Sequence, residues 1–168
     1  MPPPTKCRTP LHYAARNGHL QVCRLLVRAG VAADCLTHDS TPPLHLAVWK
    51  GRLDAAEYLL SVCDNLHSVN DYGCDTSHWV AMSGDISTAK WLLEKGVTMT
   101  STNAVGHTCM HKAAQLGHAD FVKFLVTDLG ISPRRIEPDA EGKSPAALAA
   151  EAGHDALAAW LDATGERP

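Results

Sequence analysis

Between Gly18 and Gly30 the chain reads HLQVCRLLVRA, with Val22, Leu25 and Leu26 at i, i+3 and i+4 and polar or charged residues between them. That spacing lines the apolar side chains along one stripe of an α-helix. It predicts a helix from about His19 to Ala29, ended by Gly30. Ahead of Gly18, Thr9 and Pro10 form a start signal. The hydroxyl can accept from an orphan backbone N–H, and proline stands where a missing donor costs nothing. A first helix is therefore expected from Pro10 to about Asn17, broken by Gly18 in a left-handed or tight-turn conformation. Neither helix is long enough to persist alone in water.

The same pair then recurs. His12, His45, His78 and His111 are each 33 residues apart, and Gly18, Gly51, Gly84 and Gly117 keep that interval, as do Leu26, Leu59, Leu92 and Leu125. The residue before each leucine is bulky: Leu25, Tyr58, Trp91 and Phe124. A fifth copy runs from Ser144 to Leu161, with Ala147 at the histidine position. There Gly153, Trp160 and Leu161 recur after 36 residues, so three residues are inserted between copies four and five. Thr108 and Ser144 repeat the start signal, and Asp75 serves equally well. The stretches between copies are polar, with Gly73, Gly106 and Gly142 each five residues before the histidine position, and they predict exposed β-turn fingers. Units this short bury their apolar faces only by stacking on one another. Leu59 and Leu92 are expected to be fully buried, with Tyr58, Trp91, Phe124 and Trp160 as packing residues rather than a platform for nucleic-acid bases.

Composition narrows the function classes. The 168 residues are 45% hydrophobic and 20% charged with a net charge of −3, which fits one globular domain and implies no particular partner. Residues 1–30 hold Lys6, Arg8, Arg16, Arg24 and Arg28 and no acid, leaving a net −8 over the remainder. That basic end lacks a dense Lys/Arg run and interleaved aromatics, which weighs against nucleic-acid binding. Six scattered cysteines form no C-x-x-C pair and are expected as free thiols in a reducing compartment. The start MPPPTKCRTP has no apolar core of a secretory leader, and no apolar run is long enough to span a membrane. The expected location is intracellular, with cytoplasm and nucleus not separable.

The copies read TPLHYAARNGH, PPLHLAVWKGR, DTSHWVAMSGD, TCMHKAAQLGH and SPAALAAEAGH. They resemble the ankyrin repeat, a 33-residue unit with a T-P-L-H-x-A motif. The resemblance covers about residues 5–165, and the departures are Pro42 at the threonine position, Ser77 at the leucine position and Ala147 at the histidine position. It implies an all-α repeat solenoid: a single domain over residues 1–168, with repeats at about 5–37, 38–70, 71–103, 104–139 and 140–168. It further implies paired antiparallel helices, short first helices on a concave face, second helices on the convex back, and β-hairpin fingers. The family's usual activity is binding other proteins without chemistry of its own.

By the same resemblance, His12, His45, His78 and His111 are structural, each ring tied to the motif threonine and to nearby backbone. Thr9, Thr108 and Asp75 would partner His12, His111 and His78, and Pro42 would leave His45 without that hydroxyl. His19, His118 and His154 follow turn glycines and are expected to pack on the second helices, while His38, His67 and His107 fall in fingers and are expected to be exposed. No G-x-S-x-G, H-E-x-x-H or phosphate-cradling glycine loop occurs, so no catalytic residue and no cofactor is expected. Cys35 with His38, and Cys63 with His67, have zinc-ligand character but sit on successive fingers, so metal is not expected. A metal-binding or enzymatic protein on the same frame, and nucleic-acid binding through the basic first repeat, are the alternative classes.

The resemblance also implies where a protein partner would meet the chain: the finger tips and the two residues before each turn glycine. The finger candidates are Leu36, His38 and Asp39, then Asp71 and Tyr72, then Ala104, Val105 and His107. The helix candidates are Trp49, Lys50, Met82, Ser83, Gln115 and Leu116, flanked in the series by Arg16-Asn17 and Glu151-Ala152. Trp49, Met82 and Leu116, with Tyr72 and Val105, make an apolar strip that the repeat itself does not require. Both chain ends are expected to be mobile and the protein to be monomeric. Ile131–Gly142 is expected to be the longest finger, with Arg134 and Arg135 at a basic tip open to protease.

Overall fold

The computed structural model describes residues 7–165; the MPPPT start and the residues from Glu166 on, both expected to be mobile, lie outside that range. Among the described residues there are ten α-helices in five pairs. They are α1 (Pro10–Asn17) with α2 (Leu20–Arg28), α3 (Pro43–Trp49) with α4 (Leu53–Val62), α5 (Thr76–Ser83) with α6 (Ile86–Glu94), α7 (Cys109–Gln115) with α8 (Ala119–Thr127), and α9 (Pro145–Glu151) with α10 (Asp155–Gly165). The start signals act as the chemistry requires: Asp75 accepts from the N–H groups of Ser77 and His78, and Ser144 from that of Ala147. Each first helix packs on the next first helix, and all five pairs share one core through Leu11, Leu44, Val48, Leu59, Val80, Leu92, Met110, Phe121, Leu125 and Leu161. No described helix is long and apolar enough to cross a membrane.

The second helices bridge neighbouring copies through the bulky column. Trp91 Nε1 donates to Glu57 Oε1 at 3.1 Å, the Arg24 guanidinium lies 5.3 Å from the Tyr58 ring centre, and Lys90 lies 5.8 Å from that of Phe124. Tyr58, Trp91 and Phe124 thus each lean on the copy before them. Leu25, the first of the column, has no described copy before it and is 67% exposed, with Val22 and Tyr13 also exposed. The stripe that predicts α2 correctly therefore does not make Val22 and Leu25 core residues. Tyr58 and Trp160 are half-buried, whereas Trp91 and Phe124 are buried.

The fingers are tight turns. In each of four, one residue's N–H donates to a carbonyl four residues on (Thr37 to Thr41, Asn70 to Cys74, Asn103 to His107, Asp139 to Lys143). Single backbone bonds join successive tips: Asp71 N–H to Asp39, Ala104 N–H to Tyr72 and Ala140 N–H to Val105. Pairing this sparse forms no strand among the described residues. Side chains extend the joining: Asn70 Nδ2 reaches Thr41 Oγ1 at 3.4 Å, Asn103 Nδ2 reaches Cys74 Sγ at 3.4 Å, and His107 Nε2 meets Asp139 Oδ2 at 2.8 Å. The three residues inserted before the last finger do not lengthen it. They form a one-turn 3-10 helix, Pro133–Arg135, that packs on α10, with Arg134 and Arg135 exposed.

Turn glycines set the register of the stack. A Cβ built on Gly117, at φ +72°, would fall 2.5 Å from the His154 ring of the next copy, and one on Gly84 would fall 2.7 Å from His118. Arg52 covers Gly18 and Asp85 covers Gly51 in the same way. These seats explain His118 and His154: each lies over the previous copy's glycine, and His118 Nε2 also donates to the Met82 carbonyl at 3.2 Å. Gly153, at φ +82°, has nothing within 4 Å of such a Cβ. Gly153→Ala is expected to cost about 1–2 kcal/mol from left-handed strain alone. Gly117→Ala should cost about 1 kcal/mol more, because the methyl must also displace the ring. Urea melts of both variants check this; equal losses would mean that the His154 seat is not held.

Candidate interaction surface

The motif histidines sit third from the start of α1, α3, α5 and α7. Thr9 N–H donates to His12 Nδ1 at 3.1 Å, and His12 Nε2 donates to the Thr41 carbonyl of the following finger at 3.1 Å. Thr108 N–H and hydroxyl meet His111 Nδ1 at 3.1 and 3.2 Å. His78 Nδ1 lies 2.9 Å from Asp75 Oδ1, and its Nε2 donates to the His107 carbonyl at 2.9 Å. Burial opposes ionisation of Asp75, but bonds from His78 and Ser77 outweigh it and hold the carboxyl well below the usual range. Pro42 has neither hydroxyl nor N–H to offer. His45 Nδ1 accordingly has no partner among the described residues, while its Nε2 meets Ser68 Oγ at 3.3 Å. Burial pushes His45 down to about 4. Burial, then the neighbouring His107, pushes His111 down to about 4. His12 and His78 are two-ended struts between a helix start and the following finger, whereas His45 is held through Nε2 and His111 through Nδ1, their other ring nitrogens having no partner among the described residues.

Thiols and metal chemistry are equally bland. All six cysteines are free. Cys109 donates to the Met99 carbonyl at 2.9 Å and burial pushes its thiol far up, while Cys35 Sγ lies 3.3 Å from Thr9 Oγ1. Among the described residues no group of three or more His, Cys, Asp or Glu side chains could hold a metal ion, and the Cys35/His38 and Cys63/His67 pairs converge on nothing.

The candidates for partner contact divide into two sets. Leu36, His38, Lys50, Asp71, Tyr72, Ala104, Val105, Gln115 and Leu116 are exposed, Tyr72 by 63%. Asp39, Trp49, Met82 and Ser83 are half-buried. His107 departs from the expectation of an exposed finger residue. It is buried, because Asp139 of the next finger binds its Nε2 and the His111 ring stacks on it at 5.3 Å and 10°. Trp49 does not stand free either: its ring meets Trp79 of the next copy at 5.9 Å, with the Arg16 guanidinium 5.1 Å and Lys50 Nζ 3.9 Å from its centre.

A groove of about 420 Å³ opens where three successive fingers meet α5 and α7, with Tyr72, Val105, Trp79 and Met82 as its apolar lining and Asp39, Asp71 and Lys112 among its polar residues. Asp39 is held in place by the Thr37 and Thr41 hydroxyls. Trp79 and Lys112 escape sequence reasoning, because the position they share also holds Tyr13 and Leu46, and so varied a column carries no signal. The nearest available sign was a tryptophan where the repeat makes no demand.

Comparison with known proteins adds three findings. The sequence model of a family described as "Ankyrin repeats (3 copies)" matches residues 3–71 and 77–166. A stretch of 54 residues is 41% identical to the 26S proteasome non-ATPase regulatory subunit 10 of Dictyostelium discoideum, covering 32% of this chain and 23% of that protein. A stretch of 65 residues is 34% identical to protein phosphatase 1 regulatory subunit 12A of Mus musculus, covering 39% of this chain and 6% of that protein. The chain thus spans less than a quarter of either relative.

Proposed function

The chain belongs to the ankyrin-repeat family, and from that premise we propose that it is a non-catalytic binding module that holds a partner protein against its concave face and fingers. The observation that carries this is the groove of Tyr72, Val105, Trp79 and Met82. Packing within the stack does not require an exposed tyrosine at a finger tip, and aromatic side chains beside a pocket are the usual anchors of protein contacts. The partner is a polypeptide that seats an apolar side chain between Tyr72 and Val105. An acidic neighbour of that side chain would reach Arg16 and Lys50, already gathered around Trp49. Two relatives are by name regulatory subunits, of the proteasome and of a protein phosphatase. A regulatory role exercised by binding, inside the cell, is the corresponding role here.

Tyr72→Ala tests the surface, because Tyr72 is exposed and its loss leaves the core intact. Proteins retained by the wild-type chain and lost by the variant define the partner. The measured affinity for it is expected to fall about tenfold or more, equivalent to about 1–2 kcal/mol, with the melting temperature unchanged. Trp49→Ala should weaken the same binding but also lower stability, since it removes the Trp79 contact. A Tyr72→Ala chain that retains the same proteins at the same affinity places the partner elsewhere.

A further inference from the structure

Serine or threonine precedes proline at four places: Thr9, Thr41, Ser132 and Ser144. Three of these are committed to the stack. Thr9 Oγ1 lies 3.0 Å from His12 Nδ1 and 3.3 Å from Cys35 Sγ. Thr41 is buried and its hydroxyl donates to Asp39 Oδ2 at 3.1 Å. Ser144 Oγ accepts the Ala147 N–H at 3.2 Å to start α9. Modifying any of them would dismantle a helix start or a finger.

Ser132 differs on each count. It immediately precedes the 3-10 turn that distinguishes the last connection, half-buried, with its backbone extended at φ −70° and ψ 126°, and its hydroxyl makes no cap bond. Pro133, Arg134 and Arg135 follow it, and both arginines are exposed. The third residue after the hydroxyl is Arg135 here, against His12, Leu44 and Ala147 at the other three places. The fold and the sequence thus select the same serine.

We propose that Ser132 is a phosphorylation site for a proline-directed serine/threonine kinase that reads a basic residue three places beyond the acceptor. Proline carries no N–H, so Pro133 suits a kinase subsite that offers that position no acceptor. The Arg135 fork suits an acidic group on the enzyme. The Ser132 Oγ attacks the γ-phosphorus of Mg-ATP. The Oγ–P bond forms as the bond from that phosphorus to the β–γ bridging oxygen breaks. ADP leaves with the electron pair, and the hydroxyl proton passes to the kinase's catalytic base. Drawing the segment into an extended substrate breaks two backbone bonds of the 3-10 turn, Arg135 N–H to Ser132 at 3.1 Å and Ile136 N–H to Pro133 at 3.3 Å, and gives up the packing of that turn on α10, with no hydrogen bond of α8 or α9 broken. The product places about −1.5 to −2 charges beside Arg134 and Arg135, remote in sequence from the groove residues.

The test incubates the folded chain with Mg-ATP and a purified cyclin-dependent kinase and maps phosphate by mass spectrometry. Phosphate is expected on Ser132 and not on Thr9, Thr41 or Ser144. Ser132→Ala, with an unchanged circular-dichroism melt, should take up none, and Arg135→Ala should slow uptake by about tenfold. No incorporation into the folded chain overturns the proposal. So does equal incorporation into Ser132→Ala, or labelling of Ser132 only after the chain has been unfolded.

Discussion

Leu92→Ala is expected to lower the unfolding free energy by about 2–5 kcal/mol, the loss of transfer energy plus an unfilled cavity. Leu92 is fully buried in the third of five pairs, where copies on both sides contribute to the shared core. A domain holds only about 5–15 kcal/mol in all, so the change removes a large fraction of its stability. Leu25→Ala is the internal control: the same residue type on the second helix of a pair, but 67% exposed, with an expected loss within about 0.5 kcal/mol. Urea melts of both variants decide the matter. A Leu92→Ala loss below about 0.5 kcal/mol would show that the core is not shared as described.

Stability is also expected to fall steeply as the pH drops from 6.5 towards 4. His45 has its pKa lowered from 6.5 to about 4 by burial, and the unfolded chain therefore takes up a proton before the folded one does. The stabilising contribution of the neutral ring is fully present above pH 6.5 and is lost as the pH falls through the folded value. Over that window the loss is about 3 kcal/mol for His45. His111, lowered for the same main reason, loses stability in the same direction. Asp75 behaves differently: held below the usual carboxylate range, it keeps its contribution until the pH falls below about 4. Thermal melts from pH 8 to 4 should show the decline, and His45→Gln should flatten it. A profile flat between pH 6.5 and 4.5 would mean that His45 is not a buried neutral ring.

Helix starts, turn glycines and the buried leucines were legible in the sequence because each is fixed locally, by a hydroxyl or carboxylate before the helix or by a backbone that must turn left-handed. The exposure of individual stripe residues was not. Val22 and Leu25 follow the same pattern as residues buried elsewhere, and only the absence of a described preceding copy exposes them. His107 looked like any finger residue until Asp139, 32 positions later, came within 2.8 Å. The groove has the same cause: Tyr72 and Val105 were legible as finger tips, but Trp79 and Lys112 join them only through the stacking of two copies. Position along one repeat is local information, while exposure depends on the neighbour.

The seating of residue 52 on Gly18, 85 on Gly51, 118 on Gly84 and 154 on Gly117 has a consequence for how such a chain changes length over generations. Every junction uses the same joint, a side chain over a bare α-carbon, and Arg, Asp and His all serve as the covering group. Recombination that duplicates or removes one whole unit rebuilds an existing joint and demands no compensating mutation. A gain or loss of part of a unit would set a Cβ-bearing residue beneath a side chain and stall the stack at that point. The three extra residues at Pro133–Arg135 fall between joints, in the connection from α8 to the finger, where length can drift without disturbing a single seat.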